Sequence, residues 1–221
     1  MNVACSSTRR AVQPTFLHSF LYEFVTLFVI LDPIATVPVF LSVTASLDTG
    51  RSLRVAAYAI GLSFAVLLFF IVGGQFLLEA MHIPMPSFQL AGSVVLLLFG
   101  LKMVLGKVDE EVKSLPVEAS LSERAVYPLA IPGIAGPGAI LTVVLLTDNN
   151  TRSIGEQAIT TGILSLCLVI FFGLYALARP IFRLLGTPGI QIVSRSFGLI
   201  LASIAVHGLI VALKLSFGLA P

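Results

Sequence analysis

The stretch "ILDPIATVPVF" at residues 30–40 decides how this chain folds, because it puts Asp32, Pro33 and Pro38 inside a long apolar run. An apolar run of that length predicts a membrane-spanning helix. Charge is costly to bury in lipid, and proline removes a backbone hydrogen bond, so all three residues are unfavourable in a continuous span. We therefore expect a helix that is interrupted partway.

The composition identifies the solvent as a lipid bilayer. The chain has 221 residues, of which 57% are hydrophobic and 11% charged, and its mean hydropathy is +1.03. A soluble protein carries about 25% charged residues. The apolar runs are continuous rather than alternating, which favours helices over a β-barrel. The net charge is +2 without a basic run, so nucleic acid is not an expected partner. Cys5 and Cys167 lack metal-ligand spacing, so no metal site is expected.

Six apolar stretches are long enough to cross a membrane, which predicts an all-α integral membrane fold with six transmembrane helices. They cover residues 16–46, 53–78, 88–105, 125–147, 158–178 and 196–217. Residues 1–14 form a polar tail, and residues 107–124 form the one sizeable polar loop. The loop divides one membrane domain into two halves of three spans each, residues 15–106 and 125–221.

Basic residues predict the orientation, because cytoplasmic loops are enriched in Lys and Arg. With six spans, the side that holds both termini carries four basic residues: Arg9, Arg10, Arg152 and Lys214. The other side carries nine: Arg51, Arg54, Lys102, Lys107, Lys113, Arg124, Arg179, Arg183 and Arg195. We expect both termini outside, and the loops between spans 1 and 2, 3 and 4, and 5 and 6 in the cytoplasm.

The two halves contain a similar segment. "DPIATVPVFLSV" at residues 32–43 aligns without a gap with "PGIAGPGAILTV" at residues 132–143, with identical residues at four positions. Each half has an odd number of spans, so the second half must enter the membrane upside down. This is the inverted-repeat plan of many secondary transporters. We expect the first and fourth helices to be broken near the midplane.

The prolines in both segments predict unwound backbone. Pro33 and Pro38 are five residues apart, as are Pro132 and Pro137, and only the first turn of a helix tolerates proline well. We expect unwinding between each pair, with a second half-helix starting after Thr36 and after Gly136. Free N–H groups at these starts favour an anion, and the preceding carbonyls favour a cation. Together they suit a small zwitterion.

The same motifs resemble a known family. "LDPIATVPVF" and "YPLAIPGIAGPGAI" (residues 127–140) are similar to the two signatures of the MarC family of bacterial inner-membrane proteins. The resemblance covers nearly the whole chain beyond the tail. It implies transport of small neutral amino acids such as glycine or alanine across the inner (plasma) membrane. The implied substrate-binding residues are Asp32, Pro33, Ala35, Thr36, Pro38, Pro132, Gly133, Ala135, Gly136, Pro137 and Gly138.

These features predict a secondary transporter rather than an enzyme, with alternating access and coupling to H⁺ or Na⁺. Asp32 and His207 are the candidate coupling residues, because both ionisable side chains lie within spans. No cofactor is expected. A translocase for amphipathic or lipid-linked compounds and a non-transporting membrane scaffold stay open as alternatives. An intramembrane enzyme is disfavoured because Asp32 alone lies deep in a span.

Other residues in the spans have simpler expected roles. Glu23 and Glu79 lie near the ends of their spans, where solvent should reach them. Small residues four apart permit close helix approach. We expect helix contacts at Ala57, Gly61, Ala65, Gly198 and Ala202.

Overall fold

The structure is a computed structural model that describes residues 16–105, 120, 123, 125–149 and 152–218. Over these residues every regular element is a helix, which confirms the all-α prediction for this part of the chain. The predicted tail and most of the predicted loop lie outside it. The helices are α1 (Phe16–Leu31), α2 (Pro33–Val43), α3 (Thr49–Ala80), α4 (Met85–Val104), α5 (Ala125–Ile134), α6 (Pro137–Leu146), α7 (Ile154–Ala176) and α8 (Ala178–Ser216).

Helix length and composition support a multi-pass integral membrane protein. α3, α4, α7 and the Pro188–Ser216 part of α8 are each long and apolar enough to cross a bilayer. α1 and α2 together make a fifth candidate span, bent by 46° between Ser19–Leu31 and Thr36–Val43. α6 is apolar but has 10 residues. By these criteria the described chain has four spans, or five with the bent pair.

The surface of the helices suits contact with lipid. Large apolar side chains such as Val72, Phe76 and Leu184 are 74%, 75% and 86% exposed. Large apolar side chains exposed in such number are unusual on soluble proteins, whereas the hydrocarbon of a bilayer solvates them at no cost. The helices therefore present to their surroundings the surface that a membrane requires.

The first break is a single residue. Asp32 separates α1 from α2 and has a φ of 50°, a left-handed conformation that aspartate tolerates better than most residues. α2 starts at Pro33, where the missing N–H costs nothing, and continues through Pro38. The predicted unwinding between these prolines is therefore wrong. The predicted helix start after Thr36 is also wrong, because this residue lies inside α2 and donates a hydrogen bond to the carbonyl oxygen of Pro33 at 3.0 Å.

The second break falls between α5 and α6. Gly136 has extended backbone (φ −76°, ψ 171°) and Pro137 is the first residue of α6, which confirms the predicted helix start. α5 is a wide π-type helix, and the N–H of Ala135 donates to the carbonyl oxygen of Ala130, five residues earlier, at 2.8 Å. Pro132 lies inside this wide helix, so the predicted unwinding between Pro132 and Pro137 is confirmed only for Ala135 and Gly136. Single-turn bulges with this hydrogen-bond pattern are frequent at functional sites, and α5 carries the pattern over ten residues.

The start of α8 differs from the prediction. Helix begins at Ala178 rather than near residue 196, and it is interrupted at Gly186, whose φ is 62°. The prediction of a loop here followed from the basic residues Arg179, Arg183 and Arg195, which are typical of loops between spans. In the structure Arg179 donates to the carbonyl oxygen of Leu47 at 3.0 Å, which attaches the start of α8 to the link between α2 and α3.

Small residues permit a close approach between α4 and α8. α4 packs along α8, where a Cβ atom added to Gly198 would lie 2.9 Å from the carbonyl oxygen of Gly100. The expected contact at Gly198 is confirmed, and the backbone of Ala202 lies against Gly100 as well. The expectation for α3 is wrong, because a Cβ atom added to Gly61 would meet nothing within 4 Å. Small size permits a contact, but the neighbouring helix decides whether one forms.

Candidate functional site

A cavity of about 180 Å³ lies against the second break. Its lining comprises Gly133, Ile134, Gly136, Pro137, Gly138 and Ala139 around the break, Ile30 from α1, and Val95, Leu96, Phe99 and Lys102 from α4. The walls from α1 and α4 are apolar except for Lys102. Polar groups are thus concentrated at the break and at one lysine.

The start of α6 supplies N–H groups to this cavity. The first intrahelical bond of α6 joins the N–H of Ile140 to the carbonyl oxygen of Gly136 at 3.0 Å. The N–H groups of Gly138 and Ala139 precede it and have no acceptor within the helix, and Pro137 has no N–H. The positive end of the helix dipole lies at the same place. With Lys102 also lining the cavity, the electrostatics favour an anionic group.

Glycine at position 138 lets three helices meet at the cavity. Gly138 is buried, and a Cβ atom added to it would collide with the side chain of Leu96 from α4. The same atom would lie 3.6 Å from Cγ2 of Ile30, near the end of α1. The lack of a side chain at this position therefore sets how closely α1 and α4 approach the second break.

The first break is surrounded by buried oxygen atoms. Asp32 is 2% exposed and Thr36 is 8% exposed. Tyr175, which α7 contributes, is 2% exposed, and its hydroxyl lies beside Thr36 and Asp32. The Tyr175 ring stacks on Phe40 with centroids 4.4 Å apart and meets the edge of Phe171 at 5.9 Å. These ring contacts fix the hydroxyl next to the break.

The structure brings the two breaks together. α1 packs against α6 and α2 against α5, and Ile30, two residues before Asp32, lines the cavity. Gly133, Gly136, Pro137 and Gly138 of the predicted binding set also line it. Ala135 is buried beside them. Asp32, Pro33 and Thr36 are buried at the first break, and Pro38 is half-buried. The side chains of Ala35 and Pro132 lie outside the described set.

His207, the second predicted coupling residue, lies elsewhere. It is exposed and lines an open groove of about 660 Å³ between α1 and α8, together with Leu21, Tyr22, Val25, Thr26, Ser203 and Ile204. This lining shares no residue with that of the cavity at the second break. The structure therefore places Asp32 but not His207 at the breaks.

Glu23 is buried, so its predicted solvation is wrong. Its carboxylate is 2.8 Å from the Arg152 guanidinium, and it accepts a hydrogen bond from Thr160 at 2.8 Å. The Glu23 side chain is 5% exposed and that of Arg152 is 30% exposed. A buried carboxylate requires such partners, and neither partner is near Glu23 in sequence. Glu79 is exposed as predicted and accepts a hydrogen bond from Gln75 at 3.2 Å.

Two residues of the site, Tyr175 and Lys102, were not identified from the sequence. Tyr175 sits in a continuous apolar span, where a tyrosine is read as a packing residue. Lys102 lies at the end of its span, where a lysine is read as an anchor to the membrane surface. A polar atom within an apolar span was the available signal for Tyr175, since buried hydroxyls need partners.

Comparison with known proteins identifies relatives over most of the chain. A family model described as MarC family integral membrane protein matches residues 17–217. A UPF0056 membrane protein of Aquifex aeolicus is 33% identical over 88% of this chain and 92% of its own length. A UPF0056 membrane protein of Methanocaldococcus jannaschii is 33% identical over 86% and 94%. UPF0056 membrane protein YhcE of Escherichia coli is 28% identical over 86% and 90%. No solved structure matches the chain significantly.

Proposed function

Since this chain belongs to the MarC family of integral membrane proteins, we propose that it is a secondary transporter of small neutral amino acids such as glycine or alanine. Transport proceeds by alternating access at the two helix breaks. The observation that carries this proposal is the 180 Å³ cavity beside the α6 N-terminus. A single water needs about 10–15 Å³ of such space, so the cavity has room for a solute of several heavy atoms.

The chemistry of the cavity fits an amino acid zwitterion. The carboxylate binds the N–H groups of Gly138 and Ala139, with Lys102 adding positive charge. The ammonium group faces the carbonyl ends of α1 and α5, where Ile30 and Ile134 line the cavity. Helix C-termini attract cations as helix N-termini attract anions. The apolar α4 side chains leave room for hydrogen or methyl as the substrate side chain.

A six-span inverted repeat is part of the proposal. If α1, α2, α3 and α4 correspond to α5, α6, α7 and α8, the helix contacts should occur in symmetric pairs. Four such pairs are present. The contact of α1 with α6 has its equivalent in α5 with α2, and that of α1 with α7 has its equivalent in α5 with α3. Likewise, α2 with α7 is matched by α6 with α3, and α2 with α8 by α6 with α4. Contacts of this pattern support two related halves around one site.

We place the protein in the inner membrane with both termini outside, on the basis of the lysine and arginine distribution. The test uses a chain with both native cysteines replaced and one cysteine introduced. Met81→Cys, in the link between α3 and α4, should react with a membrane-impermeant maleimide in intact cells. Ser120→Cys should react only after permeabilisation. The reverse pattern would invert the orientation.

The function is tested by uptake of labelled glycine and alanine into proteoliposomes with imposed H⁺ and Na⁺ gradients. Gly136→Leu should reduce uptake at least tenfold, because Gly136 lines the cavity and leucine would fill it. Gly173→Leu is the matched control, since a Cβ atom added to Gly173 in α7 meets nothing within 4 Å. Equal uptake by the wild type and Gly136→Leu would reject the site.

A specific observation also favours a second function, translocation of amphipathic compounds. The groove between α1 and α8 is open, largely apolar and edged by Thr26, Ser203 and His207. Such a surface suits an acyl chain that carries a polar head. In the same proteoliposomes, competition of glycine uptake by an excess of alanine supports the amino acid carrier. Competition by a short-chain lipid without competition by alanine supports the translocase.

A further inference from the structure

We propose that the first break holds a sodium-type monovalent cation, with Tyr175 as a ligand from α7. The site consists of the carboxylate of Asp32, the hydroxyl of Thr36 and the hydroxyl of Tyr175. Its existence does not depend on transport, but its role as the coupling site rests on the proposed function.

The unsatisfied hydroxyl of Tyr175 is the first observation. This oxygen is shielded from solvent and forms no hydrogen bond of ordinary geometry with the described residues, although Thr36 and Asp32 lie beside it. Buried hydroxyls are nearly always paired, so such an atom needs an explanation, and a bound ion is one. The stacking on Phe40 and the edge contact with Phe171 prevent the ring from moving the hydroxyl elsewhere.

The surrounding atoms favour a cation. The Thr36 hydroxyl donates to the carbonyl oxygens of Pro33 at 3.0 Å and of Asp32 at 3.4 Å, so the lone pairs of its oxygen remain to face the break. Pro33 has no N–H to offer to the carbonyl of Val29 in the last turn of α1. The negative end of the α1 dipole adds to the charge of Asp32. Broken membrane helices bind coupling ions with such carbonyl ends.

The number of carboxylates indicates a monovalent ion. Carboxylate, carbonyl and hydroxyl oxygens are ligands for hard cations. Calcium sites recruit several acidic side chains. In the part of the chain that the structure describes, no three His, Cys, Asp or Glu side chains gather closely enough for a metal ion. Asp32 is the one carboxylate among the three proposed ligands, and a site with a single carboxylate and two hydroxyls suits a sodium-type cation better than a divalent ion.

The test measures thermal unfolding of the purified full-length protein in detergent, without any amino acid, in NaCl or in choline chloride of equal ionic strength. Wild type should gain about 5 °C at saturating Na⁺, because an ion that binds the folded state stabilises it. Tyr175→Phe should need at least tenfold more Na⁺ for half of that gain. In choline chloride it should be no less stable than wild type, because the lost hydroxyl forms no hydrogen bond of ordinary geometry with the described residues.

Two controls make the result specific. Tyr58→Phe removes the same hydroxyl from a tyrosine that is 64% exposed, and its Na⁺ response should match that of wild type. Asp32→Asn keeps the shape of the side chain and should abolish the response. Thr36→Val serves as a second ligand variant if Tyr175→Phe expresses poorly, and it too should weaken the response at least tenfold.

Three outcomes would overturn the cation site. They are equal stability in Na⁺ and choline, an unchanged Na⁺ response in Tyr175→Phe, and a wild-type stability that responds to pH but not to Na⁺. The last would assign the cluster to a proton. Stabilisation by Na⁺ without amino acid uptake would refute the proposed function and leave the site standing. Amino acid uptake without any effect of Na⁺ on stability would refute the cation site and leave the proposed function standing.

Discussion

The two helix breaks share a spacing of five residues between prolines, yet they differ in structure. The first turns at Asp32 alone and is enclosed by oxygen-bearing side chains. The second spans Ala135 and Gly136, follows a wide helix and borders the cavity. In the aligned repeat, α2 starts at residue 33, whereas α6 starts four residues later, at the equivalent of residue 37. Proline spacing therefore does not fix where a helix restarts.

The residue that each half places at the aligned positions 32 and 132 explains this shift. Asp32 accepts the left-handed conformation, so Pro33 can begin α2 at once. Its aligned partner is Pro132, which cannot adopt a positive φ. The second half instead widens α5 and uses Gly136 in extended conformation before Pro137. A carboxylate closes one break and glycines open the other, which is why we assign the ion to the first and the substrate to the second.

The largest stability difference should come from the inner prolines. Pro38 lies inside α2, where proline costs about 3 kcal/mol, while alanine adds up to about 1 kcal/mol of unfolded-state entropy. Pro38→Ala should therefore raise the free energy of unfolding by about 2 kcal/mol. Pro137→Ala, at the first position of α6, should lower it by about 0.4–1 kcal/mol. Thermal unfolding in detergent measures both variants. If both raise or both lower the unfolding temperature, the two prolines do not differ in the way proposed.

A smaller effect should mark the tight contact at the second break. Gly138→Ala places a methyl group against Leu96 and should cost about 1–2 kcal/mol, since overpacking strains a close-packed site. Leu96 lines the cavity, so its displacement should also slow amino acid uptake. The double variant with Leu96→Ala should be less destabilised than the sum of the single variants. Additive losses in thermal unfolding would show that the two residues are not coupled.

The smallest effect concerns backbone strain at the first break. Alanine pays about 1–2 kcal/mol at the φ of Asp32, whereas glycine accepts that conformation but loses about 0.5–1 kcal/mol of extra entropy on folding. In choline chloride, Asp32→Gly should therefore be about 1 kcal/mol more stable than Asp32→Ala. Both variants lose the carboxylate, so their difference in unfolding temperature isolates the backbone. If Asp32→Ala unfolds at the same temperature as Asp32→Gly or at a higher one, the backbone at this position is not strained.

The amino-acid sequence by itself determined the membrane class, the interrupted spans and the two motifs. Long apolar runs must cross a bilayer as helices, and prolines disturb helices wherever they occur. The start of α6 at Pro137 followed from Gly136 as a cap and Pro137 at the first position. These effects depend on residues that are neighbours in the sequence, so they can be predicted without knowledge of the tertiary structure.

Tertiary structure decided which polar groups meet. Tyr175 reaches the first break only because α7 packs against α2, and Glu23 is buried only because Arg152 and Thr160 approach it from distant sequence. Gly198 forms a close contact while Gly61 faces outward, although both are small residues in apolar helices. In a chain that is apolar on all sides, hydrophobicity does not mark the inward face of a helix. Packing between helices must select it.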